Sequence, residues 1–263
     1  MEKLRIALYM ARPQKYATFA SVVAGYIVAV GPGAHWARMR ELAFVFVVFA
    51  VLFYTGVYLL NDVLDKPLDA LHPRKRKRPV ASGIVSVRHA TLIGLGLAGL
   101  GIGLGMAWSP RLGAFEVLFL AVNVTYTGLL KRLPTMDIFG NTITHPLRVV
   151  MGIAVFGTLS MAHLPVILSS GLLYLAGNAL KRHLELSKGN AEARPVLKHY
   201  SERQLLALGG LPGIGLGGLL LVPEDPMSRG VVAFVSCVWA FMFVGYACGP
   251  SWLRKAVTVL LAA

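Results

Sequence analysis

Apolar runs of membrane-crossing length recur along the chain, at roughly 16–32, 42–60, 87–108, 112–130, 135–157, 163–180, 204–222 and 229–247, separated by short charged stretches. A helix needs about 20 mostly apolar residues to cross a bilayer. The pattern therefore predicts eight spanning helices, and a ninth run after Lys255 is short. Glycine is dense in the third and seventh runs, from Gly94 to Gly105 and from Gly209 to Gly218. No strand precedes these glycines and no acid follows at the spacing of a nucleotide fingerprint, so close helix packing in lipid is the expected role.

Composition sharpens this picture. Of the 263 residues, 56% are hydrophobic and 14% are charged, with mean hydropathy +0.65; soluble domains carry about 25% charged residues. The expectation is an all-α, polytopic membrane protein, a bundle of eight to nine transmembrane helices around a cytoplasm-facing cavity. Residues 1–263 would form one domain, with no room for a separate soluble catalytic domain. The first fifteen residues mix charges with short apolar pieces and lack a small-residue cleavage site, so no cleavable leader is expected. Cys237 and Cys248 lie in or near one late apolar run and are expected to be buried packing residues.

The net charge of +14 is distributed in a way that argues against nucleic acid, because the charges occupy short loops between apolar runs. The N-terminal segment and the even-numbered loops hold 21 lysines and arginines, whereas the odd-numbered loops hold four, Arg38, Arg40, Arg111 and Arg229. Positive charge marks the cytoplasmic side. The N-terminus and all candidate chemistry are therefore expected at the cytoplasmic face of a cell (inner or plasma) membrane.

That chemistry centres on residues 61–83. Asn61, Asp62, Asp65 and Asp69 are followed by five consecutive basic residues, Arg74 to Arg78. On a helix Asn61, Asp65 and Asp69 share one face, with Asp62 beside it. Acids at a membrane edge are costly without a partner, and like charges on one face raise one another's pKa unless a cation intervenes. Hard oxygen donors suit Mg²⁺, and the adjoining basic run suits phosphate oxygens. Together they point to an intramembrane enzyme handling a diphosphate; the plainer alternative is a solvated loop that fixes topology. Pro67 removes the bond to Val63, so a kink or an end of the helix is expected there.

Two further clusters stand on the same side. Lys181, Arg182 and Glu185 precede Arg194-Pro195-Val196-Leu197 and Tyr200-Ser201. Their functional reading is a second phosphate-facing wall; the alternative is a Lys181–Glu185 surface ion pair at i, i+4, worth a few tenths of a kcal/mol. Tyr126, Lys131 and Arg132 end the fourth run, shortly before Asp137.

The segment Asn61–Gly83, with its Asn-Asp-x-x-Asp-x-x-x-Asp pattern and basic, proline-containing tail, resembles the first Asp-rich motif of the UbiA-type intramembrane prenyltransferase superfamily. The likeness extends over nearly the whole chain in the order and spacing of its charged clusters, and Arg12-Pro13 fits the family's opening. Prenyl-transferring members carry a second Asp-rich motif between the sixth and seventh helices. Here Lys181-Arg182 and Glu185 stand in its place. That sequence, with His72-Pro73-Arg74-Lys75-Arg76, Leu147-Arg148 and the Arg194–Ser201 stretch, is similar to the decaprenyl-phosphate phosphoribosyltransferase branch.

The resemblance implies transfer of a phosphoribosyl group from 5-phosphoribosyl 1-diphosphate to a polyprenyl phosphate, with Mg²⁺ as cofactor. It implies Asn61, Asp62, Asp65 and Asp69 at the metal and Asp62, Asp65, Asp69, Lys181 and Glu185 as catalytic. Lys75, Arg76, Arg78, Tyr126, Lys131, Arg148 and Arg182 would bind substrate. The expected partners are phosphoribosyl diphosphate, a polyprenyl phosphate and membrane lipid, without nucleic acid; a homo-oligomer stays open. The opening departs from the branch: Arg12-Pro13 leads into Gln14-Lys15-Tyr16-Ala17-Thr18-Phe19 where the branch has Gln-Trp and then Lys-Asn. His145-Pro146 also differs, and both departures leave the acceptor open. Two alternatives stand beside this reading. One is a prenyltransferase acting on an aromatic or other small acceptor; the other is a non-catalytic transporter or lipid-binding protein, which the clustering of charge at one face disfavours.

Overall fold

The computed structural model describes residues 6, 9–31, 36–71, 75–189 and 194–262. His72, Pro73 and Arg74, quoted above within the motif, lie outside the described residues. Every regular element among the described residues is helical. After a 3₁₀ turn at Pro13–Phe19 come α1 (Ala20–Val30), α2 (Met39–Leu71), α3 (Val87–Trp108), α4 (Pro110–Gly128), α5 (Met136–Thr142) and α6 (Thr144–Phe156). Then follow α7 (Leu164–Ser187), α8 (Glu202–Gly210), α9 (Pro212–Leu219), α10 (Pro226–Ala247) and α11 (Ser251–Ala262). Among the described residues, five stretches are long and apolar enough to cross a membrane: Met39–Leu71, Val87–Trp108, Pro110–Arg132, Met161–Ser187 and Pro226–Ala247.

The remaining expected spans are helical but interrupted or short. The fifth breaks between α5 and α6, where Pro146 has no N–H to offer the Thr142 carbonyl. The seventh breaks between α8 and α9, where Pro212 opens the second piece. The chain has the opposite behaviour at Pro67, because α2 runs through it to Leu71. Asn61, Asp62, Asp65 and Asp69 thus sit on one continuous helix, and the expected kink or end at Pro67 is not an end.

The chain divides into two compact units. The first comprises Met1–Ala20, Trp36–Leu129 and Glu192–Arg194. Its core is an aromatic cluster, with Phe49 against Phe53, Tyr54 and Phe119 at centroid distances of 5.8, 5.0 and 5.0 Å. A wider, π-helical stretch at Phe46–Phe53 sets these rings. The expected role of glycine is half right in this unit. Gly94 and Gly101 let α3 meet α2, since a Cβ on Gly101 would lie 2.7 Å from the Phe53 Cβ. Gly96, Gly99 and Gly103 meet nothing within 4 Å, and Leu92, Leu95 and Leu100 nearby are exposed. That apolar face suits lipid.

The second unit holds Ser21–His35, Leu130–Ala191 and Pro195–Ala263. Val149, Ile153, Val166 and Val232 form one buried cluster, and Leu180, Leu184, Tyr246, Val257 and Leu261 form another. Gly209, Gly210 and Gly213 give room to Leu180, Phe243 and Trp239, whereas Gly217 and Gly218 meet nothing. Cys237 and Cys248 are free and exposed. The expectation that they are buried is wrong: Cys237 lies on the outward face of α10 and Cys248 just past its end, where lipid contact rather than the core surrounds an apolar side chain.

Candidate active site

In the first unit the acids of α2 meet three basic groups. Asp62 and Asp69 are 5% and 3% exposed, far more buried than carboxylates at a loop. Arg78 bridges them: its Nη1 donates to Asp62 Oδ1 at 2.9 Å and to Asp69 Oδ2 at 2.6 Å. Arg12 makes a further buried bond to Asp62 Oδ1, and Lys75 Nζ stands 3.9 Å from Asp69 Oδ1. Arg12 has left-handed backbone angles (φ 50°), an uncommon conformation for a residue with a side chain. Its guanidinium lies 5.5 Å over the Tyr58 ring as well as on Asp62. Asn61 Oδ1 accepts from the Thr127 hydroxyl at 3.0 Å, which ties α2 to α4. Asp65 is half-buried on the same helix, whereas Arg76 is exposed.

The donor set suits a divalent cation. Two hard carboxylates already converge on one positive centre, the Arg78 Nη1. Among the described residues no three His, Cys, Asp or Glu side chains close into a cage. Mg²⁺ does not need one, because it commonly takes one or two carboxylates and completes its shell with water and substrate phosphate.

In the second unit α7 continues past its apolar stretch to Ser187. Lys181, Arg182 and Glu185 therefore stand on helix rather than in a loop. Arg182 is 2% exposed and Asp137 is fully buried. Arg182 Nε donates to Asp137 Oδ2 at 2.7 Å, and its Nη1 donates to Glu185 Oε2 at 3.1 Å. Tyr200 closes the group: its hydroxyl donates to Asp137 Oδ1 and accepts the Thr135 N–H, both at 2.5 Å. Thr135 has φ 70°, a strained value for a β-branched residue. Burial and the bond to Asp137 push the Tyr200 phenol up to about 12, so it stays a donor. Arg148 is buried within α6 and donates back to Thr144, at 3.0 Å to O and 3.2 Å to Oγ1. Asn178 joins Asn141 and Thr142 at 2.7 and 3.0 Å. Tyr126 in the first unit and Lys131 in the second are half-buried.

The structure thus brings Asp62, Asp69, Lys75 and Arg78 together in one unit, where Asn61 is bonded instead to Thr127, and Arg182 and Glu185 together in the other. Arg12, Asp137 and Tyr200 are site residues that the sequence reading did not select. Arg12-Pro13 and Tyr200 were visible only as parts of motifs, and no local signal pairs Arg12 with a carboxylate fifty positions away.

These features define a polytopic, helical membrane protein with a buried acid–arginine cluster at the end of one helix and a second charged network beside another. The chain belongs to the UbiA prenyltransferase family, whose profile matches residues 18–263. It is 30% identical over 204 residues to decaprenyl-phosphate phosphoribosyltransferase of Mycobacterium tuberculosis, a match covering 74% of this chain and 65% of the relative. It is 34% identical over 138 residues to protoheme IX farnesyltransferase of Archaeoglobus fulgidus, covering 50% and 46%. Among solved structures, a UbiA homolog from Archaeoglobus fulgidus bound to GPP and Mg²⁺ superposes with TM-score 0.72 at 16% identity, covering 98% of this chain and 95% of that one. The fold is therefore that of the UbiA homologs.

Proposed function

We propose that this chain transfers a 5-phosphoribosyl group from 5-phosphoribosyl 1-diphosphate to a polyprenyl phosphate. A phosphate oxygen of the acceptor forms the bond to ribose C1, the C1–O bond to diphosphate breaks, and its electron pair leaves with the diphosphate. The acceptor is already an anion, so no strong base is required. The observation that carries this reading is the end of α7. A single acid, Glu185, is tied to Arg182 there, and no Asp pair stands at the position where prenyl-transferring relatives have one. The 30% identity to a phosphoribosyltransferase supports it. The chain spans about 65% of the length of that relative, so substrates are argued from residues rather than carried over whole.

Asp62, Asp65 and Asp69, with Asn61, would hold Mg²⁺, which neutralises charge growing on the leaving diphosphate. Arg12, Lys75, Arg76 and Arg78 would orient the diphosphate; charge-assisted bonds are stronger than neutral ones. Lys131 and Lys181 would take the donor's 5-phosphate, with Tyr126 and Arg148 assigned to substrate. Arg182 and Glu185 would fix the ribose through their shared bond. The reading treats residues 1–263 as one transmembrane domain with its N-terminus and site on the cytoplasmic side, which reporter fusions to successive loops would test.

The decisive experiment incubates purified protein with radiolabelled phosphoribosyl diphosphate and polyprenyl phosphate, in parallel with an allylic diphosphate and an aromatic acceptor. Label appearing in lipid and diphosphate released only from the ribosyl donor is expected. Asp65→Ala and Asp69→Ala should each abolish turnover in folded protein at saturating Mg²⁺, with Asp62→Ala also severe. Transfer from the allylic donor alone would establish the second reading, a prenyltransferase, which the farnesyltransferase relative favours.

A further inference from the structure

Between α5 and α7, both in the second unit, polar side chains pair rung by rung. Asp137 and Asn141 stand one turn apart on α5, and Asn178 and Arg182 stand one turn apart on α7. Arg182 Nε donates to Asp137 Oδ2 at 2.7 Å, and Asn141 Nδ2 donates to Asn178 Oδ1, also at 2.7 Å. One turn further, His145 of α6 stacks on Tyr174 of α7. The pairing is antiparallel, since each step of four residues up α5 and α6 is a step of four down α7. Asn178 is buried, and it lies in the stretch Met161–Ser187 that is apolar enough to cross a membrane.

Both ends of the Asn178 amide are engaged. Its Nδ2 donates to Thr142 Oγ1 at 3.0 Å, and that hydroxyl donates in turn to the Ile138 carbonyl. The amide therefore fixes α5 against α7 and does not face a substrate. Helices in lipid gain nothing from hydrophobic burial against each other, so packing and interhelical hydrogen bonds set their register. α5 depends on such bonds, because it is seven residues long and is entered through the strained Thr135. A slip of one residue would turn Asp137 by about 100° around the helix axis and away from Arg182. Arg182 and Tyr200 hold the Asp137 end of α5, and Asn178 holds the other.

We propose that Asn178 is a positioning residue for the donor. Its two bonds set the register in which Asp137 meets Arg182, and through it the angle at which Arg182 and Glu185 meet the ribose. The assignment rests on the reading above that the ribose lies at Arg182.

The test compares two variants with wild type as detergent-solubilised full chains. Asn178→Leu keeps the size and removes the amide; Thr142→Val keeps the shape and removes the hydroxyl alone. Misplacing a group that orients substrate is costly, so KM for phosphoribosyl diphosphate should rise about tenfold in Asn178→Leu and about threefold in Thr142→Val. The kcat, and KM for decaprenyl phosphate, should stay within about twofold, because neither reports on how the ribose is held. In the Asp137→Asn background Asn178→Leu should add less than about twofold, since the link it serves is already cut. Hydrogen–deuterium exchange without substrate should quicken over Met136–Thr142 in Asn178→Leu and stay unchanged over Pro226–Ala247. A fall in kcat at unchanged KM, as a merely loosened fold would give, overturns the proposal. So does a full effect in the Asp137→Asn background, or unchanged exchange over Met136–Thr142. If Asn178→Leu does not fold, Thr142→Val decides by the same KM and exchange readings. If wild type transfers no phosphoribosyl group, the reaction reading fails. The positioning role then stands if the same variants raise KM for geranyl diphosphate and quicken exchange over Met136–Thr142, and falls if they do not.

Discussion

Replacing Arg78 with alanine isolates the interaction at the centre of the acid cluster. Asp62 and Asp69 touch the same Nη1 at 2.9 and 2.6 Å, so the two oxygens lie within about 5.5 Å of each other. Two unit charges at that separation repel by about 3 kcal/mol at an effective dielectric constant of about 20. Arg12 stays on Asp62, and Lys75 stays 3.9 Å from Asp69, which offsets part of the repulsion. A net loss of about 2 kcal/mol follows, well below the 3–5 kcal/mol for a buried charge left with no partner. Thermal unfolding of the detergent-solubilised protein, followed by tryptophan fluorescence, would read it. Asp69→Asn in the Arg78→Ala background should restore most of the loss, because one of the repelling charges is gone. Mg²⁺ should raise the unfolding temperature of Arg78→Ala more than that of wild type, since the ion takes the place the guanidinium left. A stability change under 0.5 kcal/mol, with no response to Asp69→Asn or Mg²⁺, would refute both the bridge and the metal assignment.

Other consequences are as direct. Glu116 is fully buried and neither carboxyl oxygen has a hydrogen-bond partner, so Glu116→Leu should raise stability by about 1–3 kcal/mol, measured by the same unfolding assay. Gly105→Ala should lower it, because the added methyl would run into the Glu116 carboxyl group, and Glu116→Ala should make the change tolerated. Tyr200→Phe removes a donor from buried Asp137 and an acceptor from Thr135, and should cost about 2 kcal/mol. The folded phenol is held at about 12, above the ordinary 10.0. The difference between Tyr200→Phe and wild type should therefore be constant below pH 10 and shrink as pH rises towards 12. Lys181→Ala should lower kcat/KM for the ribosyl donor tenfold or more, whereas Lys188→Ala and Arg203→Ala, both exposed, should stay within twofold; equal mild effects would make these charges topological.

What the sequence revealed depended on the range of the interaction. The α3 boundaries, Val87–Trp108, coincide with an expected run because apolar residues end abruptly there. The acid face of α2 was legible because helical spacing puts Asn61, Asp65 and Asp69 together. The end of α7 was misjudged, since a hydropathy reading stops at Lys181, yet Lys, Arg and Glu are good helix formers and the helix continues. The breaks near Pro146 and Pro212 had visible causes, but apolar neighbours on both sides made each run look continuous. Pairings across distant segments, Arg12 with Asp62 or Tyr200 with Asp137, leave no mark in local pattern.

The paired state of the acids bears on how such a site can serve a diphosphate. An arginine already shared by Asp62 and Asp69 keeps two buried carboxylates compatible before substrate arrives, which a bare acid face would not achieve. On the proposed function, Asp62 and Asp69 would hold the metal and the Arg78 and Arg12 guanidinium groups would turn to the diphosphate. Charge is then exchanged between partners rather than created in a poorly solvated place, where isolated ions are expensive. The second unit differs: Arg182 is held by Asp137 and Glu185 from inside its own network, and Tyr200 locks that network to a strained backbone turn. Such a group is suited to orienting a neutral ribose rather than to exchanging ions. On this argument Asp137→Asn, which keeps the shape but removes the charge that holds Arg182, should raise KM for the ribosyl donor more than it lowers kcat. A fall in kcat alone would instead place Arg182 on the reacting atoms.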